Sequence, residues 1–282
     1  MTLATLRWDP WQDLDAAEAR RSVTLGSGLY RVRVRGAHNL AYVGQTSSLR
    51  SRIGSLTVVY GSEIPYNDPH TAAPCLWVMR TEQSAAFEFS TCLLDGDAPT
   101  RKAWECLVVS QHREQFGHSP IANFGRMPNG WVKSSGNNAA LKSRGGVRRG
   151  YRDDAAQRPL DHACVLDRVN PVVSDRWAGL DWSPWGALGS APNLTGVYRI
   201  RQHAQDRLVY IGQGRILARL RSHQAKALVD GHRQSAGFAG HVEASWVGLD
   251  SVAGPQLLEV ECDLIASHFI REGAAPSVQF LG

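Results

Sequence analysis

Gly28-Leu29-Tyr30, Tyr42-Val43-Gly44 and Arg52 fall within one stretch, residues 28–52, whose reading decides the fold. An apolar run through Leu29, Tyr30, Val32 and Val34 suits a half-buried strand. Gly36 to Asn39 carries the residues of a turn, and Ala41 to Val43 resumes the strand. Thr46, Ser47 and Ser48 offer hydroxyl caps to a helix whose apolar side holds Leu49, Ile53 and Leu56. The stretch predicts strand, turn, strand, helix. A hairpin brings two tyrosines together, and the helix carries an arginine toward them.

The arrangement returns late in the chain. Gly196-Val197-Tyr198 precedes Tyr210-Ile211-Gly212, twelve residues separate the tyrosines in each copy, and Gln45 or Gln213 follows the closing glycine. Arg219 stands on a predicted helix with Leu217 and Leu220. Such self-similarity governs the fold assignment. It extends further: Glu105 and Glu261 are each followed by a cysteine, Cys106 or Cys262. Fifteen residues past each glutamate is a proline, Pro120 or Pro276, then an amide, Asn123 or Gln279, then Phe124 or Phe280. Trp8-Asp9-Pro10-Trp11 is echoed by Trp182-Ser183-Pro184-Trp185, tryptophans suited to anchoring a segment by packing.

A chain of 282 residues has length for about two domains. Its hydrophobic fraction of 43% and charged fraction of 20% describe an ordinary globular protein. The net charge of +5 is compatible with a polyanionic partner, and equally with a basic surface that only aids solubility. Five cysteines without a C-x-x-C pair argue against a disulfide framework or a structural zinc site. With no apolar leader and no membrane-length apolar run, the reading is a cytoplasmic chain with no membrane partner.

Between the motifs, Val58 to Pro74 reads as a variable region with turn formers at Asn67-Asp68-Pro69-His70. Leu76 to Met79 and Phe87 to Leu94 read as strands, and Thr100 to about Gln115 as a helix. Glu105 shares its helix face with Val108, Val109 and His112; Glu261 shares its face with Leu264, Ile265 and His268. Residues 130–153, with Lys133, Lys142, Arg144, Arg148 and Arg149, read as a flexible basic connector. It could track a phosphate backbone or serve as a solvated linker.

This double pattern resembles the GIY-YIG nuclease family. The resemblance implies an α/β (α+β) fold of two GIY-YIG-type domains related by a pseudo-twofold. Each is a small central antiparallel sheet flanked by helices. The boundaries are 1–130 for the first domain, 131–175 for the connector and 176–282 for the second. It implies hydrolysis of a nucleic-acid phosphodiester with a divalent metal, Mg2+ or Mn2+; the leading reading is an endonuclease on double-stranded DNA, a monomer with an internal pseudo-dimer, of restriction or defence type. In the first copy Tyr30 and Tyr42 match the tyrosine pair, Arg52 the phosphate-contacting arginine, Glu105 the metal ligand and Asn123 the late polar residue. In the second, Tyr198, Tyr210, Arg219, Glu261 and Gln279 take these places. His223, four residues after Arg219, matches a histidine common in the family, where the first copy has Leu56. Gln279 stands where asparagine is usual, and one residue fewer separates Gly212 from Arg219 than Gly44 from Arg52.

These residue types suit the chemistry. Phosphodiester hydrolysis needs a positioned water, a proton acceptor and cations around the phosphate. A phenol with a pKa of about 10 is a poor base at neutral pH, but a metal and an arginine beside it favour the phenolate. A carboxylate on an apolar helix face needs compensation, and a hard cation that keeps its waters can be satisfied by one protein oxygen ligand. The competing readings are a cross-strand aromatic pair for the tyrosines and a structural ion pair for each glutamate. At the level of the whole protein, a nickase with one active copy and a non-catalytic nucleic-acid-binding protein stand as rivals.

Overall fold

The computed structural model describes residues 5–67, 70–134, 149–203 and 205–281. Contacts divide the chain into two compact units, each discontinuous in sequence. One takes Thr5–Gly96 and Ser119–Leu160, the other Asp97–His118 and Asp161–Gly282. No helix among the described residues is long and apolar enough to cross a membrane.

In the first unit the chain runs through β1 (Gln12–Asp13), α1 (Ala17–Ser22), β2 (Gly28–Val34), β3 (Leu40–Thr46), α2 (Leu49–Ser55), α3 (Ala73–Gln83) and β4 (Phe87–Leu93). The strands form an antiparallel sheet in the order β1-β4-β2-β3. The expected helix after the hairpin is present, and Leu49, Ile53 and Leu56 are fully buried. Its hydroxyls act differently from a simple cap: Ser48 stands at the N-cap without a side-chain bond, and the Ser48 N–H donates to Thr46 Oγ1 at 3.0 Å.

The run Leu76 to Met79, read as a strand, lies inside α3. Its four residues are all buried, so no polar alternation marks the period, and a short buried apolar run fits either structure. Proline in the first turn and Ser84 in the left-handed conformation beyond the last turn bound the helix.

The chain then enters the other unit as α4 (Ala98–Phe116), started by Asp97, whose carboxylate accepts from the Thr100 N–H at 2.8 Å. It returns to the first unit through two short paired strands, β5 (Trp131–Val132) and β6 (Tyr151–Arg152). The described part of the presumed connector is therefore built structure. Lys142, Arg144 and Arg148 lie outside the described residues.

The second unit adds β7 (Gly186–Ala187), β8 (Thr195–Gln202), β9 (Leu208–Arg215), α5 (Ile216–Ala227), α6 (Ser235–Phe238), β10 (Val242–Gly248) and α7 (Gly254–Glu272). Its sheet has the order β7-β10-β8-β9, the topology of the first. The tryptophan repeats stack on sheet arginines in both. The Arg31 guanidinium lies 4.3 and 4.6 Å from the Trp8 and Trp11 rings, and that of Arg199 lies 4.2 and 4.7 Å from Trp182 and Trp185.

Residues 155–175 hold neither helix nor strand. Side chains at every fourth position of α7 fasten part of this segment instead. Glu259 accepts from the His162 N–H at 2.8 Å, Asp263 from the Val165 N–H at 3.1 Å, and Ser267 Oγ from the Asp167 N–H at 2.8 Å. Arg113 of α4 pairs with Glu259 at 2.9 Å and with Asp263 at 3.2 Å, and all three side chains are almost wholly buried. Burial pushes the Asp263 carboxyl up, against the pull of Arg113. Removing the cation strands two buried carboxylates, so Arg113→Met is expected to cost about 3–5 kcal/mol in urea unfolding.

Candidate active site

In each hairpin the first tyrosine stands directly opposite the closing glycine, Tyr30 against Gly44 and Tyr198 against Gly212. The ring crosses the place where that residue's side chain would be. A Cβ on Gly44 would lie 2.4 Å from Tyr30 Oη and 2.7 Å from a Tyr42 ring carbon; on Gly212 the distances to Tyr198 Oη and Tyr210 are 2.4 and 2.8 Å. The opening glycines are forced just as closely. A Cβ on Gly28 would meet the Cys92 carbonyl oxygen at 2.1 Å, and one on Gly196 the Val247 carbonyl oxygen at 2.0 Å. Both tyrosines of each pair share a sheet face, with ring centroids 5.9 Å apart in the first unit and 6.2 Å in the second.

A histidine joins each pair. Tyr198 Oη lies 2.8 Å from Nε2 of His223, the histidine expected from its spacing on α5. Tyr30 Oη lies 2.8 Å from Nε2 of His70, which the sequence analysis placed only in a turn. The first copy, which lacks a histidine on its helix, receives one from the loop before α3. The Ala72 N–H donates to His70 Nδ1 at 3.2 Å. Burial, aided by Arg52, lowers the His70 pKa to about 3, so the ring is neutral. The hydrogen of His70 is therefore on Nε2, and it is donated to Tyr30 Oη.

In the second unit the charge of Arg219, exposed on α5, acts on both phenols. Burial nevertheless raises Tyr198 and Tyr210 above the ordinary phenol range and outweighs Arg219. The expected fall in the tyrosine pKa thus does not come from arginine alone. Glu261, half-buried on α7, is pushed up to about 7 by burial against the opposing charge of Arg219. Tyr198, Tyr210, Arg219, His223 and Glu261 form one constellation within one unit. In the first unit Tyr30, Tyr42, Arg52 and His70 correspond; Glu105 stands half-buried on α4, in the other compact unit.

Asn123 and Gln279 hold strands. Asn123 Oδ1 accepts from the Val43 N–H and its Nδ2 donates to the Val43 carbonyl, both at 3.0 Å. Gln279 Oε1 accepts from the Ile211 N–H at 2.9 Å. Val43 and Ile211 sit between tyrosine and glycine on β3 and β9, the edge strands, so these buried amides position the second tyrosine of each pair. Phe124 and Phe280 follow with φ of 58° and 65°. His112 and His268 tie down the chain beyond their helices through Nδ1, which lies 3.0 Å from the His118 carbonyl oxygen and 2.9 Å from that of Ala274.

Of the basic residues, Arg149 is engaged within its own unit, paired with Glu63 at 3.0 Å and donating to the Ile64 carbonyl at 2.8 Å. Lys133 is exposed beside Gly125.

The donor chemistry fits a hard divalent cation. Glu261 is an oxygen donor whose burial keeps its proton on until about pH 7, and a cation would displace that proton. Among the described residues no group of three or more histidine, cysteine, aspartate or glutamate side chains could hold a metal. Such an ion would be held by one protein carboxylate and would keep most of its waters, as magnesium does.

Comparison with known proteins returns no matching family model, no matching curated protein and no matching solved structure.

Two measurements check this geometry. Gly212→Ala drives a Cβ into Tyr198 and is expected to cost about 3 kcal/mol in urea unfolding. The folded pKa of Glu261 lies above its unfolded value, so its protonated form favours the fold, and this stability is lost as pH rises through about 7. Without added metal, Glu261→Gln is therefore expected to raise the melting temperature at pH 8 and to change it little at pH 4.

Proposed function

We propose that this chain is a metal-dependent endonuclease that hydrolyses DNA phosphodiesters at two GIY-YIG-like sites, one in each half. The observation that carries this reading is the set of Tyr198, Tyr210, Arg219, His223 and Glu261 around one cluster, with its tyrosine–histidine–arginine part repeated at Tyr30, Tyr42, His70 and Arg52.

In the second half Tyr198 would accept the proton of the attacking water. His223 holds its oxygen in place, and the exposed Arg219, whose charge acts on the same phenol, would bind the phosphate and the charge that builds on it. Tyr210, steadied through Gln279, would orient the water. Glu261 would hold the divalent cation, and Glu105 is the residue that the sequence repeat matches to it. Held there, a cation would supply the positive charge that favours a phenolate within a buried cluster. In the first half His70 donates its Nε2–H to Tyr30 and so favours the phenolate directly.

Two such sites related by a pseudo-twofold would match the symmetry of a duplex and allow one chain to cut both strands. The difference between the halves, in which a backbone N–H fixes the tautomer of His70 while His223 Nδ1 has no partner among the described residues, favours unequal cutting rates and keeps a nickase as the second reading.

With Mg2+, supercoiled plasmid is expected to be linearised, and EDTA to abolish cutting. Glu105→Gln and Glu261→Gln should each leave a nicked circle, with linearisation slowed by about 100-fold or more. Loss of all cutting in one variant and none in the other would assign the activity to a single half. Unchanged cutting in the double variant would exclude the proposed chemistry.

A further inference from the structure

The helix that carries Arg219 is basic along one face. Arg215, Arg219, Ser222 and Lys226 follow at steps of four, three and four residues, the spacing of one side of a helix. Arg215, Arg219 and Ser222 are exposed and Lys226 is half-buried. α5 contains no aspartate or glutamate. Two of its cations stand where a helix favours them least. Arg215 is the N-cap and Arg219 lies one turn on, at the end whose dipole opposes positive charge. An anion brought to that end offsets the cost.

Lys226 is held in place rather than left to sweep the solvent. Its Nζ donates to Gln234 Oε1 at 2.8 Å. Gln234 is buried, and its Nε2 donates to the Val278 carbonyl at 2.9 Å. Val278 precedes Gln279, which bonds the strand of Tyr210, so the ammonium is registered to the tyrosine cluster. Burial and the charge of Arg219 both lower the Lys226 pKa. The two cations thus act on each other, and an anion beside them relieves both. The first copy has no such row. Seven residues after Arg52 stands Val59, fully buried, and four before it stands Ser48.

We infer that this face of α5 is a phosphate track, on which Arg215 and Lys226 hold the DNA backbone on either side of the phosphate at Arg219. Helix rise sets Arg215 about 6 Å to one side of Arg219 along the axis and Lys226 about 10 Å to the other. That length spans about five nucleotides at about 3.4 Å each. The choice of DNA as the polyanion rests on the nuclease reading. The row belongs to the second half, which therefore anchors the duplex more firmly than the first.

The test titrates the full chain, in EDTA so that nothing is cut, against a fluorescein-labelled DNA duplex of about 30 base pairs. Binding is followed by anisotropy from about 50 to about 200 mM salt. Lys226→Gln and Arg215→Gln are each expected to flatten the slope of log K against log salt by about one, and the double variant by about two. Lys226→Arg keeps the charge and should keep the slope. Arg221→Gln removes an exposed cation from another face of the same helix and should leave the slope unchanged. An unchanged slope in either Lys226→Gln or Arg215→Gln would overturn the proposal. So would an equal change in Arg221→Gln, which would reduce the row to general positive charge. The readout needs neither metal nor cleavage. A protein that cuts DNA with its slope untouched by these substitutions fails this proposal alone, and one that shows the predicted slopes but never cuts fails the nuclease reading alone.

Discussion

Everything at the candidate site depends on a ring lying against a residue with no side chain. Tyr30 and Tyr198 can reach across their hairpins only because Gly44 and Gly212 leave the space, and β2 and β8 can approach β4 and β10 only because Gly28 and Gly196 do the same. The glycines of the two triplets thus follow from steric exclusion. Once the ring is in that slot its oxygen has one direction to point, and each half brings a histidine there by a different route: a helix in one, a loop in the other. The agreement in distance from unrelated segments argues that the tyrosine–histidine bond, not the histidine's place in the sequence, is what the fold provides.

The same cluster carries a cost that the rest of the molecule absorbs. Burial opposes the charge of both Glu261 and Asp263, but Asp263, like Glu259, is tied by Arg113 and by a backbone N–H. One helix therefore carries carboxylates bound into the segment it fastens on one side and Glu261, facing the tyrosine cluster, on the other. The first kind builds the unit, and the second is where chemistry is to be sought.

The hairpins, the arginine-bearing helices and the two glutamate helices were legible because each has a period or a spacing that the duplication repeats. Leu76 to Met79 misled because four consecutive buried residues show no period. His70 was invisible for another reason. It lies on a loop, 40 residues from the tyrosine it touches, and no local pattern marks a contact of that kind. Asn123 and Gln279 were found by matching the copies, but their work at the edges of the sheets became plain only from their bonds to Val43 and Ile211.

The excursion of α4 out of the first compact unit and back has a bearing on biosynthesis. A ribosome releases this helix, with Leu107, Val108 and Val109 on it, long before α7 has been translated. Until then its apolar flank lacks the helix that covers it in the finished fold, and a gene fragment ending near codon 130 would lack that helix altogether. The seam of the duplicated sequence is thus not the seam of the folded units.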